Sequence, residues 1–170
     1  MSVQNTLTTL LTECYDLASK HYGKDIESFD VVRSVDQHRL YWRPERVHTI
    51  LLAESHVHTL CEQHVQMNGY EKFPTSQSSS NFVKFIYCLG YREPEYVGTK
   101  ISKNNGTPQY WKFLSSSVEQ PGEQSFAPFL KTHTPDFNAR LSSKYQLLSR
   151  LKKDGVWLAP QALRVAVPGR

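Results

Sequence analysis

The chain is poor in cysteine. Among its 170 residues there are three, Cys14, Cys61 and Cys88, widely spaced. That excludes a disulfide framework and a paired Cys-x-x-Cys metal knuckle, and it points to an intracellular protein. No apolar run is long enough to span a bilayer, so no membrane association is expected. The opening stretch, "MSVQNTLTTLLTECYDLASK", lacks the basic start and apolar core of a secretory signal. A Gly-rich phosphate loop, a His-Glu-x-x-His pair and a Gly-x-Ser-x-Gly elbow are also missing. Their absence removes the best-specified routes to nucleotide binding, zinc hydrolysis and serine nucleophilic catalysis, and no cofactor is expected. No internal repeat or shift of composition marks a second unit, so residues 1–170 read as a single domain.

Positive charge is present but uneven. The formal net charge is +4. Residues 131–170 carry eight Lys or Arg against Asp136 and Asp154, a balance of +6, and the first 130 residues sum to −2. A polyanion is one implied partner. A solvated basic helix face is the plainer alternative.

The apolar pattern gives a coarse order of elements. Leu7, Leu10, Leu11, Cys14, Leu17 and Ala18 recur at helical spacing, with Gly23 as a stop. Residues 24–46 are mixed, and Pro44 stands before a strand at 47–53. That strand is apolar nearly throughout, as in a parallel sheet covered on both faces. "NFVKFIYCLG", 81–90, has Phe82, Phe85, Ile86 and Leu89 at helical spacing behind a serine that can cap it. "QYWKFLSSSVE" predicts a short helix, and residues 119–138, with three prolines, an irregular connection. "NARLSSKYQLLSRLKKDG" predicts a helix capped by Asn138 and ended by Gly155, with Lys152 and Lys153 favouring its negative end. "VWLA", 156–159, predicts a second strand. The alternation implies an α/β, three-layer fold with a central parallel sheet, incomplete at the C-terminus.

The first strand runs into a polar tip, Glu54, Ser55, His56 and His58. Ligands in open α/β sheets bind beyond the C-terminal ends of strands. Glu54 or His56 is a candidate base for activating water. Alternatively His56 and His58 are metal ligands, with Glu54, Cys61 or His64 completing the shell, as in a metal-dependent hydrolase. The plainest reading is a capped turn.

Two stretches carry a resemblance to the uracil-DNA glycosylase superfamily. In "RVHTILLAESHV", 46–57, an apolar strand opens a short loop, and Ser55 takes the place of the family's water-positioning acid or amide. In "LLSRLKKDGVWLAPQALRV", 147–165, a basic helix, a glycine and an apolar strand precede Pro160, which takes the base-reading position. The family's last strand and its His-Pro-Ser-like loop have no counterpart, so the expectation is a shortened uracil-DNA-glycosylase-like domain. The resemblance implies a hydrolase of N-glycosidic bonds on damaged or deaminated bases, acting in DNA repair, with Glu54, His56 and Ser55 as catalytic candidates. The base would have to be flipped out or already unpaired. Tyr110, Trp111 and Pro160 are the substrate-binding candidates, although Trp111, Phe113 and Phe82 at helical spacing also suit a core. Lys144, Arg150, Lys152 and Lys153 are the candidate DNA contacts. The alternative is a domain on the same fold that binds nucleic acid or protein without catalysis.

Overall fold

A computed structural model of the chain describes residues 3–23, 26–53, 57–68, 70–74, 78–93, 95, 109–118 and 123–160. Among the described residues four α-helices, α1 (Val3–Tyr22), α2 (Phe29–Tyr41), α3 (Gln109–Ser116) and α4 (Phe137–Lys153), accompany two strands, β1 (Thr49–Ala53) and β2 (Val156–Pro160). The strands pair in parallel, in one register that runs from Thr49 opposite Val156 to Ala53 opposite Pro160. Helices pack around this small sheet, so the α/β class and the parallel pairing implied by the sequence are both present.

The joint between α4 and β2 sets that register. Gly155 has φ +75°, and a Cβ there would stand 2.8 Å from both the Arg46 carbonyl and His48 Nδ1. Only glycine takes this conformation without strain while allowing so close an approach. The Gly155 carbonyl accepts from the amides of His48 (2.8 Å) and Thr49 (3.1 Å), which ties the root of β1 to the end of α4.

Several expectations change. The cap of α4 is Asp136, whose carboxylate accepts from the amides of Asn138 and Ala139; Asn138 is already inside the helix. Residues 24–46 contain α2, hidden because Ser34, Asp36 and His38 occupy buried positions beside Val31, Val32 and Val35. Polar residues at inward positions break the apolar period. Residues 81–90 are not a helix but successive turns, closed by Cys88 N to Phe85 O and Tyr91 N to Cys88 O, each 2.9 Å. Phe82, Val83, Phe85, Tyr87, Cys88 and Leu89 are all buried. A segment enclosed on every side has no polar face from which to read a period. In α1, Leu10 and Leu17 stand exposed, and the Tyr15 hydroxyl donates to the Glu27 carbonyl at 2.9 Å while its ring packs edge-on against Phe29.

The core lies between α2, the turns at 81–91 and α4, reaching β2 through Leu158. β1 is not covered on both faces. Leu51 faces inward, but Ile50 is 53% and Leu52 84% exposed.

Candidate functional site

The register puts Ala53 beside Pro160, so both stretches singled out in the sequence leave the sheet at one edge. Glu54, Ser55 and His56 themselves lie outside the described residues, and of Pro160 only its place at the end of β2 is described. Beyond the tip the chain is clamped. The Val57 amide donates to the Lys84 carbonyl (3.2 Å), the Thr59 amide to Glu27 Oε1 (2.6 Å), and the Lys84 amide to Thr59 Oγ1 (2.9 Å). Glu27, Thr59 and Lys84 are buried. Desolvation pulls the Lys84 ammonium below its usual pKa, and the Glu27 charge opposes that shift. The polar tip therefore springs from a strand on one side and a buried polar clamp on the other.

For the metal reading, the described residues contain no group of three or more His, Cys, Asp or Glu placed to hold an ion. His64 has its Nε2 2.9 Å from Ser34 Oγ, and Cys61 is exposed. The proposed ligands Glu54 and His56 fall outside the described residues.

The aromatic candidates separate. Trp111 is buried, stacked on Phe129 with ring centres 5.7 Å apart, and its indole N–H has no hydrogen-bond partner among the described residues. It belongs to the packing of α3 against the 3-10 turn at Glu123–Phe129 and against α4. Tyr110 is exposed. Phe113, expected in the core with Trp111, is 55% exposed.

The basic candidates separate further. Lys144 is only 1% exposed; its Nζ donates to Glu93 Oε1 (2.8 Å) and to the Tyr91 carbonyl (3.2 Å). Arg140, equally buried, donates to both oxygens of Glu93 and to the carbonyls of Thr134 and Pro135. In this placement Lys144 is part of the core and not a phosphate contact. Arg150 is half exposed, bonded to the Val118 carbonyl at 3.1 Å, with Asp154 4.0 Å away. Lys153 is exposed. Lys152 donates to the Tyr41 carbonyl at the end of α2 and lies 4.9 Å from the Tyr41 ring centre; burial lowers its pKa.

That contact leads to a cluster the sequence reading missed. The guanidinium groups of Arg39 and Arg43 sit 5.6 and 5.4 Å from the Trp157 ring centre. The Trp157 indole donates to the Arg39 carbonyl at 3.1 Å, and Asp36 holds Arg39 from the preceding turn. A cation over an aromatic face is attracted by the ring quadrupole. Arg43 and Lys153 are solvent-facing, and Trp157 is partly buried. The signal lay in "HRLYWRPER", where Tyr41 and Trp42 stand between Arg39 and Arg43, a composition suited to nucleic acid. Counting charge only in the last forty residues passed over it. Comparison with protein-family models, with curated proteins and with solved structures finds no match for the chain.

Proposed function

We propose that this chain is a glycosylase-like hydrolase acting on nucleic acid at the C-terminal edge of its parallel sheet. The supporting observation is the register: Ala53 beside Pro160 launches both candidate segments from one edge. In this reading water attacks C1′ of a flipped nucleotide and the N-glycosidic bond breaks, with its electrons leaving on the base. Glu54 or His56 accepts the proton of the attacking water, and Ser55 takes the lesser part, being a poor base at neutral pH. The test is base release from single- and double-stranded DNA carrying uracil, comparing Glu54→Gln, Ser55→Ala and His56→Ala. Removal of the working base costs about 10²- to 10⁴-fold in rate with the fold intact. Loss confined to Ser55→Ala reverses the roles, and no release by the folded parent on any altered base removes the hydrolase reading.

A second reading, binding of nucleic acid without bond cleavage, is favoured by the Arg39–Trp157–Arg43 cluster beside Lys152. Cations supply salt-dependent phosphate contacts. Anisotropy titrations of labelled single-stranded DNA test it, with Arg43→Gln weakening binding whether or not a base is released.

A further inference from the structure

On the other side of α2 lies a cavity of about 560 Å³, between that helix, His64 and residues 78–81. Its described lining is wholly polar. Asp30, Arg33, Ser34 and Gln37 come from α2, facing His64 and Asn81. Ligand pockets of this volume are ordinarily walled by apolar and aromatic side chains, and this one offers such a ligand no purchase. Hydrogen-bond donors predominate: the Arg33 guanidinium, the two carboxamides, the hydroxyls and the imidazole, against the carboxylate of Asp30. One polar pair is already in place. Ser34, 4% exposed, has its Oγ 2.9 Å from His64 Nε2. Ser34 sits inside α2, where its amide is committed to the helix ladder and supplies no oxyanion donor. The pair is therefore suited to holding a group, not attacking one.

We propose that this cavity binds a phosphate monoester, its phosphoryl oxygens received by Arg33, Ser34 and His64 and its ester group filling the remaining space. Burial holds the His64 imidazole below its usual pKa while the Asp30 charge pulls the other way. A dianion arriving beside the ring favours the imidazolium, so binding takes up a proton and Asp30 assists that uptake. Among the described residues, Arg33 and His38 are further charged or titratable groups on this side. His38 is fully buried and its Nδ1 lies 3.2 Å from Ser78 Oγ.

The experiment is an NMR titration of the full chain with glycerol 2-phosphate, inorganic phosphate and dimethyl phosphate, following the amides of α2 and the ring nitrogens of His64. The expected result is saturable shifts at Ser34 and His64 with the monoester, a raised His64 pKa in its presence, and affinity that falls as pH rises. Arg33→Gln, at an exposed position, weakens binding about tenfold, the loss of one charge-assisted bond. Ser34→Ala weakens it in parallel. Inorganic phosphate binds more weakly for want of the ester group, and dimethyl phosphate, a monoanion, binds weakest. Shifts that stay linear without saturating overturn the proposal. So do unchanged affinities in both variants, or equal binding of the diester.

Discussion

Glu93→Gln tests the placement of Lys144 directly. The Glu93 carboxylate is the shared counter-charge of two buried cations, with Arg140 Nη2 at 2.6 Å and Lys144 Nζ at 2.8 Å. The amide keeps the shape and one acceptor oxygen but removes the charge. Two cations are then left in the core, eased by Glu95, 3.8 Å from Arg140 and partly exposed, and by the charge of Asp136. Breaking a buried pair from one side costs about 3–5 kcal/mol. For a chain of this size that is a fall in melting temperature on the order of 10 °C. Lys144→Met makes the contrast. It leaves Glu93 neutralised by Arg140 and loses chiefly the bond to the Tyr91 carbonyl, about 1–2 kcal/mol. The double variant removes one of the two stranded cations, so it is expected to be more stable than Glu93→Gln alone. Urea denaturation followed by tryptophan fluorescence reads all three; Trp111, whose ring centre is 5.2 Å from Lys144 Nζ, reports on the site. A loss below about 1 kcal/mol for Glu93→Gln, or a larger loss for Lys144→Met, would refute the argument that Glu93 compensates both cations.

Other outcomes follow from single observations. Gly155→Ala meets both the positive φ and the 2.8 Å approach to the Arg46 carbonyl, and is expected to cost about 2–3 kcal/mol in the same denaturation assay; an unchanged midpoint contradicts the role of Gly155 as the joint of the sheet. Burial lowers the His38 pKa from 6.5 to about 4. The unfolded chain thus binds more protons between those values, and the contribution, fully present above pH 6.5, is lost as pH falls towards 4. The expected loss is about 3 kcal/mol, at about 1.36 kcal/mol per unit, and a His38→Gln variant whose stability falls just as steeply over that range removes the assignment. Arg43→Gln and Lys153→Gln are each expected to reduce the salt slope of DNA binding by about 0.9 with little effect on stability; slopes equal to the parent's return these residues to the solvated surface.

The sequence was most legible where burial is one-sided or glycine is required. α4 shows an apolar stripe, a basic last turn and Gly155, and only the cap shifted by two residues. The strand pair was readable because β1 and β2 are short apolar runs bounded by turn residues. α2 was not, because three of its inward positions are polar, and the turns at 81–91 were not, because apolar residues there point in every direction. For the sites, spacing placed Lys144 on the α4 stripe with Leu141, Leu148 and Leu151, but charge drew it to the surface. The core had a carboxylate waiting for it 51 positions earlier in the chain, and periodicity carries no information about such a partner. Trp157 as the partner of the two arginines was hidden for the same reason: 118 positions separate Arg39 from the indole bonded to its carbonyl.

The buried polar residues share a physical cause. A chain segment that is enclosed but neither helix nor strand has no ladder for its backbone groups, and each must find a partner elsewhere. Residues 81–91 find theirs partly in backbone turns of their own and partly in side chains. The Lys84 amide uses Thr59, the Tyr87 carbonyl the Trp42 indole (3.1 Å), and the Tyr91 carbonyl Lys144, while the Phe82 amide uses the Val65 carbonyl (2.8 Å). In return the Tyr87 hydroxyl accepts from the Leu158 amide in β2 at 2.6 Å, joining the segment to the sheet; burial pushes that phenol up to about 12, so it remains protonated. Polar residues that a sequence offers as chemistry are here consumed by keeping an irregular core satisfied. Glu27, Glu93, Arg140 and Lys144 are committed in this way. Chemistry with a large substrate must then fall to polar groups that reach solvent, and among the described residues Arg43 and Lys153 are of this kind. A scan of the buried set is therefore expected to move stability and leave binding per folded molecule unchanged, while a scan of Arg43 and Lys153 does the reverse. Buried-set variants that fold and yet lose DNA affinity would break this division.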